Sequence, residues 1–248
     1  MQRTRTAVAA SVLALLSVAA LGACSGSDAS DDGSDAKSAP STAPEKKTQD
    51  PAAELGEAAL GKSEVSGYTV RKPDQKFAFA GSKDQVKVDK AACAPLAYAM
   101  NQFPLGTPKA DLTRVASSGG KTVGAFTYVS LAAYGNGGGD AKAAFAGLTK
   151  AVGACGAGFT AKGGQSSTAY DSVAPETAPV PAGADESTAF KATTRYEGVT
   201  HTMRTQAVRH GDTLAVYFAV DGMALVEKRS GDAKVAAAVL KAQNAKLG

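Results

Sequence analysis

Between Ser25 and Pro51 the chain reads SGSDASDDGSDAKSAPSTAPEKKTQDP, without one Val, Ile, Leu, Met or aromatic side chain. A stretch with nothing apolar to bury cannot offset the entropy of ordering its backbone, so folding is confined to the chain beyond Pro51. Residues 24–51 are therefore read as a disordered tether, and residues 52–248, about 195 in all, as a single globular domain. At roughly 5–6 Å times the square root of its length, a flexible linker of about 26 residues spans about 25–30 Å.

Upstream of the tether, Arg3 and Arg5 precede an uncharged run from Thr6 to Ala23. A basic start and a short apolar segment form the layout of a signal peptide, residues 1–23. The run is rich in Ala and Ser and is followed by polar chain, which disfavours a retained anchor. Leu21, Gly22, Ala23 and Cys24 match the lipobox of bacterial lipoprotein precursors. The thiol of Cys24 would form a thioether to diacylglycerol, and the small residues before it give the signal peptidase access. The expected partner is thus the membrane, and the expected location the outer face of the cell membrane. The alternative is an ordinary secretory signal that leaves Cys24 as an exposed thiol.

Lipidation of Cys24 would leave Cys93 and Cys155 as the remaining cysteines, on an oxidising side of the membrane where pairing is favoured. A bridge closing a loop of about 60 residues is worth roughly 4 kcal/mol in the chain-entropy model. The alternative is two buried small hydrophobes that never meet.

Loss of the signal removes Arg3 and Arg5 and no acidic residue, taking the formal net charge from +4 to +2. So slight an excess is not the clustered basic face of a nucleic-acid binder, and no nucleic-acid partner is expected. The absence of Trp and an aromatic content of 6% also weaken stacking-based recognition of sugars or bases.

Four segments carry helix signals. Asp50 and Pro51 form an N-cap and first-turn pair before AAELGEAAL. Asp89 precedes KAACAPLAYAM, where Pro95 is expected to kink or restart the helix. Asp140 precedes AKAAFAGLTKAVGAC, in which Phe145, Leu148, Val152 and Cys155 form one apolar stripe before the stop at Gly156. Asp232 precedes AKVAAAVLKAQNAKL, with Val235, Ala238, Val239 and Ala242 on one side. Strand-like runs are GYTVR, KFAFA, QVKV, LTRVAS, KTVGAFTYVSLAAY, STAFKATTRYE, VTHTMRTQAVR and TLAVYFAV, the last two joined by the hairpin turn HGD. Pro175, Pro179 and Pro181 mark a surface loop. Because strands cluster instead of alternating with helices, the expected class is α+β, an antiparallel sheet with helices packed on one face.

Motifs for chemistry are sparse. SSGGKT, residues 117–122, ends like a P-loop, but its first glycine would fall at Val115, so it reads as a hairpin turn. YGNGGGDAKAAF runs strand, glycine-rich loop, helix, yet Asp140 occupies the third glycine's place and would repel a pyrophosphate, so an N-capped loop is the better reading. There is no HExxH, no cysteine pair at metal spacing and no GxSxG elbow, and neither metal nor cofactor is expected. Asp171, Glu176, Asp185 and Glu186 could supply an acid/base pair, although solvated surface is their default reading. Arg195, His201, Arg204, Arg209 and His210 fall on a strand pair and suggest a rim for an anionic head group or acidic partner.

VSGYTV, CAPLAYA, the helix ending in AVGAC, the hairpin AVRHGDTLAVYFAV and the terminal AAAVLKAQNAKL together resemble the extracytoplasmic PknH-type sensor domains of actinobacteria, found on receptor kinases and as free lipoproteins. The resemblance spans nearly all of residues 52–248. It implies an α+β domain with a cleft, stapled by disulfides and binding an extracellular ligand, and it supplies no catalytic residues. This chain has cysteines for one such bridge. The function expected is a membrane-anchored binding or sensor module for an envelope small molecule, lipid or protein. The alternatives are a cell-envelope hydrolase with a fold-assembled acid/base pair and a protein-interaction accessory subunit.

Overall fold

Alternation is nearly lost in TLAVYFAV, where six consecutive residues, Leu214 to Ala219, are buried. A strand buried on both faces must lie inside a sheet covered on both sides. A computed structural model describes residues 50–118 and 124–248, and it places this strand so. The signal segment, Cys24, nearly all of the tether and most of SSGGKT lie outside the described residues.

In chain order the elements are α1 (Pro51–Ala58), β1 (Tyr68–Arg71), β2 (Lys87–Val88), α2 (Ala94–Met100), β3 (Ala110–Ser118), β4 (Ala125–Ala133), α3 (Gly139–Ala154), β5 (Phe159–Gly163), β6 (Ser166–Glu176), β7 (Glu186–Tyr196), β8 (Val199–His210), β9 (Thr213–Asp221), α4 (Gly222–Val226), β10 (Gly231–Asp232) and α5 (Ala237–Leu247). The described strands form one sheet in the order β1-β3-β4-β9-β8-β7-β6-β5-β2, and β10 adds to β8. All pairs are antiparallel except β10 with β8.

The class is α+β, with an antiparallel sheet in a single domain, and its helices lie on both faces rather than one. Leu214, Val216 and Phe218 pack with Leu96 of α2 and Leu148 of α3. Their neighbours Ala215 and Tyr217 pack with Leu55 of α1 and Val239 of α5. The small residues of AAELGEAAL and AAAVLKAQNAKL hide this, because alanine blurs which stripe of a helix is apolar.

Local chemistry explains the helix ends. Asp50 caps α1 as expected, its carboxylate accepting from the Ala52 N–H at 3.0 Å. Asp89 does not cap the second helix; it accepts from the Thr160 N–H at 2.9 Å and ties β2 to β5. Pro95 lies in the first turn of α2, which restarts at Ala94 after a 3-10 turn at Ala91–Cys93. The third helix starts at Gly139 with Gly138 at φ 87° as its cap, leaving Asp140 in the first turn. Asp232 is drawn into the sheet beside Thr202, so α5 begins only at Ala237, with the Ala236 N–H donating to the Thr127 hydroxyl at 3.2 Å.

The β5–β6 hairpin escapes the sequence reading, because its Ala, Ser, Thr and Gly carry little alternation. It turns at Gly164, φ 55°. Pro175, expected in a loop, lies in β6 opposite Phe190, beyond the point where β5 pairs with β6, so no neighbour there needs its missing N–H. KFAFA is not a strand but a 3-10 turn, Gln75–Phe77, and the stretch after it. Cys93 and Cys155 are joined by a disulfide, fastening the turn before α2 to the end of α3.

Candidate functional site

Antiparallel pairing fixes which side chains share a face. His201 lies opposite Thr194, and Met203 opposite Ala192. Met203, Ala192 and Phe218 belong to the core under α2 and α3. α2 ends at Met100, where the Asn101 side chain donates back to the Ala97 carbonyl at 2.8 Å. Toward the β7–β8 turn this sheet face is roofed by no helix, and a cleft of about 760 Å³ opens over it. That size falls within the roughly 300–1,000 Å³ usual for small-molecule sites.

The floor changes character along its length. Nearest the β7–β8 turn stand Tyr196 and Thr168, next come His201 and Thr194, then Met203 and Val220, and deepest Phe218 and Tyr128. Tyr128 and Phe218 stack with ring centres 6.1 Å apart. One wall is the Lys76–Phe79 stretch, positioned by the Asp74 carboxylate, which accepts from the Lys76 N–H at 3.0 Å. The other is α4, capped by Asp221 through the Ala224 N–H at 2.9 Å. Gly124 permits this wall, since a Cβ there would fall 2.1 Å from Met223 Cγ.

His201 is 3% exposed, and neither ring nitrogen has a hydrogen-bond partner among the described residues. Gly231 of β10 lies against it, so close that a Cβ at 231 would stand 3.1 Å from Nδ1. An unpaired buried polar group costs about 1–3 kcal/mol. Burial raises the Tyr128 hydroxyl above its ordinary range, against the opposing Arg71 charge. Burial likewise pushes Tyr170 up to about 12, opposed by its hydrogen bond with Asn101. Both phenols therefore stay neutral and polar at physiological pH.

The arginine and histidine residues expected to form a rim do not share one surface. Residues 201 and 204 differ by an odd number along β8, so their side chains leave opposite faces. Arg195, opposite Thr200, shares the face of Arg204 and sits exposed at the edge of the cleft, where it makes no ion pair among the described residues. Arg204 donates from Nε to both Glu176 oxygens at 3.1 Å and pairs through Nη1 with Asp232. Arg209 is on the face of His201 but about 27 Å along the strand. It is held by Glu186 at 2.7 Å and Asp185 at 2.9 Å. His210 faces α5, where Nε2 meets Asn244 Oδ1 at 2.7 Å.

These pairs also account for three of the four carboxylates considered for acid/base work. Among the residues lining the cleft Asp221 is the single acid, and its oxygens take the Ala224 N–H and the Arg229 guanidinium, the latter at 3.2 Å. No group of three or more His, Cys, Asp or Glu among the described residues is placed to hold a metal. No described helix is long and apolar enough to cross a membrane.

Tyr128, Met203, Phe218, Phe77 and Val226 do not stand out in the sequence. The first three resemble any core position, and only the missing roof distinguishes them. Phe77 and Val226 carry a signal visible only in three dimensions, being 81% and 73% exposed.

No family model matches the sequence, and no curated protein does. Among solved structures, the chain is similar to the extracellular domain of PknH from Mycobacterium tuberculosis, at 15% identity and a TM-score of 0.46, over 77% of this chain and 90% of that one. It is also similar to an uncharacterized Mycobacterium smegmatis protein, the Rv0999 ortholog, at 15% identity and a TM-score of 0.38, over 79% of this chain and 94% of that one. The first of these is of the type that the sequence resembles.

Proposed function

We propose that this chain is an exported binding or sensor module, held on the outer face of the cell membrane by diacylglycerol on Cys24, whose ligand occupies the cleft over β6 to β9. The observation that carries the reading is His201, a buried imidazole with no hydrogen-bond partner among the described residues, set in the floor of a cleft large enough for a small molecule. Native proteins satisfy nearly all buried polar groups, so an exception in a cleft floor is where a ligand would complete the bonding. The reading is binding rather than catalysis, because the single carboxylate lining the cleft is already engaged by the Ala224 N–H and the Arg229 guanidinium, which leaves His201 without an acid partner there. The lipobox and the apolar-free tether support the anchored, exported part.

The test is a ligand screen on the purified chain by thermal shift and native mass spectrometry, against cell-wall fragments, lipids and small metabolites. A ligand of the folded state raises Tm progressively with its free concentration. The expected result is at least one such class, with the shift reduced in a Met203→Trp variant that narrows the floor. No shift from any class overturns the reading. Mass spectrometry of the N-terminal peptide tests the anchor: a diacylated Cys24 is expected, and an unmodified thiol overturns that part alone.

A further inference from the structure

Four large apolar side chains stand exposed among the described residues: Phe77 at 81%, Val226 at 73%, Val180 at 53% and Tyr196 at 51%. Three of them, Phe77, Tyr196 and Val226, line the same cleft. Apolar groups gathered at one rim mark an interaction site, whereas scattered ones need no explanation. They come from separate elements, the 3-10 turn at Gln75–Phe77, the end of β7 and the end of α4, so no single local cause exposes them.

Inside the rim, charge gives way to hydrogen-bonding groups and then to a mainly apolar floor, on which the Tyr128 phenol is the polar exception. Lys76 projects at the rim with 83% of its side chain exposed, its nearest carboxylate, Asp74, 4.0 Å away. His201 and Thr194 come next, and Met203, Val220, Phe218 and Tyr128 lie beyond. That order of cation, hydrogen-bonding groups and apolar floor is complementary to an amphiphile with an anionic head, oxygen functions next to it and a hydrocarbon chain. A water-soluble ligand would gain nothing from an apolar rim. A chain passing from a bilayer into the cleft would cross it without exposing its methylenes, each worth about 0.8 kcal/mol when buried. Tyrosine at such a rim suits the water–hydrocarbon boundary, and a lysine there is drawn to anionic lipid.

We propose that the cleft takes up an acyl chain of an anionic membrane lipid through a rim at which Phe77, Tyr196 and Val226 dip into the lipid surface. The inference rests on the reading that this cleft is the binding site, and it names the ligand class. The phosphate of the head lies by Lys76, His201 donates to an ester or hydroxyl oxygen, and the chain lies over Met203 and Phe218.

The test uses residues 24–248 with Cys24→Ser, which lack both the apolar signal segment and the lipid and so leave only the domain to engage the vesicle. The chain is incubated with vesicles of phosphatidylcholine with or without phosphatidylglycerol, re-isolated, and examined by native mass spectrometry. The expected result is one retained phosphatidylglycerol per chain, about tenfold preferred over phosphatidylcholine. Lys76→Glu should remove the preference, and Met203→Trp the retention. Phe77→Ser with Val226→Ser should slow uptake about tenfold at unchanged Tm, because both positions are exposed. Undiminished uptake by that rim variant overturns the proposal whatever Met203→Trp does. Absence of retained lipid, with a Tm rise from water-soluble cell-wall fragments or a complex with a protein partner instead, overturns the lipid assignment. If fragments raise Tm, the cleft reading stands. Absence of any ligand overturns both.

Discussion

His201 and His210 lie nine residues apart on one strand and face opposite layers, and their surroundings differ in kind. Under α1 and α5 the buried polar groups form a nearly closed network. Gln243 accepts from the Leu60 N–H at 3.1 Å and donates to the Ala58 carbonyl at 2.8 Å. Asn244 donates to the Tyr217 hydroxyl at 3.0 Å and to the Leu240 carbonyl at 2.7 Å, and its Oδ1 meets His210 Nε2, leaving Nδ1 of His210 as the one unpaired atom there. On the other face, among the described residues, His201 has neither nitrogen paired, and the Thr205 hydroxyl behind it is unpaired as well. A polar network that is complete holds a fold together, whereas one left open beside a cleft is a place for something else to bind.

The contrast can be broken from either side. The largest effect is expected from Cys93→Ala with Cys155→Ala, which frees the turn before α2 from α3 and loosens the layer bounding the cleft. Closure across 62 residues predicts a loss of about 4 kcal/mol in denaturant unfolding. Next, Gln243→Ala leaves the Leu60 N–H and the Ala58 carbonyl unpaired beneath α1, and a loss of about 2–3 kcal/mol is expected in the same measurement. His201→Leu sharpens the comparison: removing a group that has no partner should cost under about 0.5 kcal/mol or stabilise, while His210→Leu, which strands Asn244 Oδ1, should cost about 1–2 kcal/mol. Equal losses at the two histidines would contradict the distinction.

The smallest effect concerns pH. The Glu64 carboxyl is held below its ordinary 4.5 chiefly by the Gly61 N–H and then by Lys246 of α5. A carboxylate whose folded value is lowered stabilises at pH above its unfolded value, and that contribution is lost as pH falls through the folded one. Because the pair is solvent-exposed, at most about 0.5 kcal/mol should vanish below pH 4.5. Glu64→Gln should flatten that part of the stability curve, and an unchanged acid limb would count against the assignment.

Much of the fold is legible where side chains carry contrast. The Asp50–Pro51 start, the stripe of Phe145, Leu148 and Val152, and the hairpin at Gly211–Asp212 all stand where charge, apolar spacing or a turn residue marks them. The β5–β6 hairpin carries no such contrast, and neither do the faces of α1 and α5. Part of the site was within reach: the odd spacing of His201 and Arg204 is enough to separate their faces. The cleft itself was not. Met203, Tyr128 and Phe218 become its floor only because α2 stops at Met100, a length set by Asn101 turning back on Ala97 rather than by any property of the floor.

β10 is two residues long, yet both are committed. Gly231 sits where a methyl group would press on His201 Nδ1 and on Ala224 Cβ, each at 3.1 Å. Asp232, beside it, is gripped by Arg204, whose side chain leaves β8 on the other face. In mechanical terms β10 is a rivet through the sheet, with its head against the cleft floor and its tail clenched behind. Enlarging residue 231 would push the head against His201 and Ala224, and cutting the Arg204 pair would loosen the floor from the back.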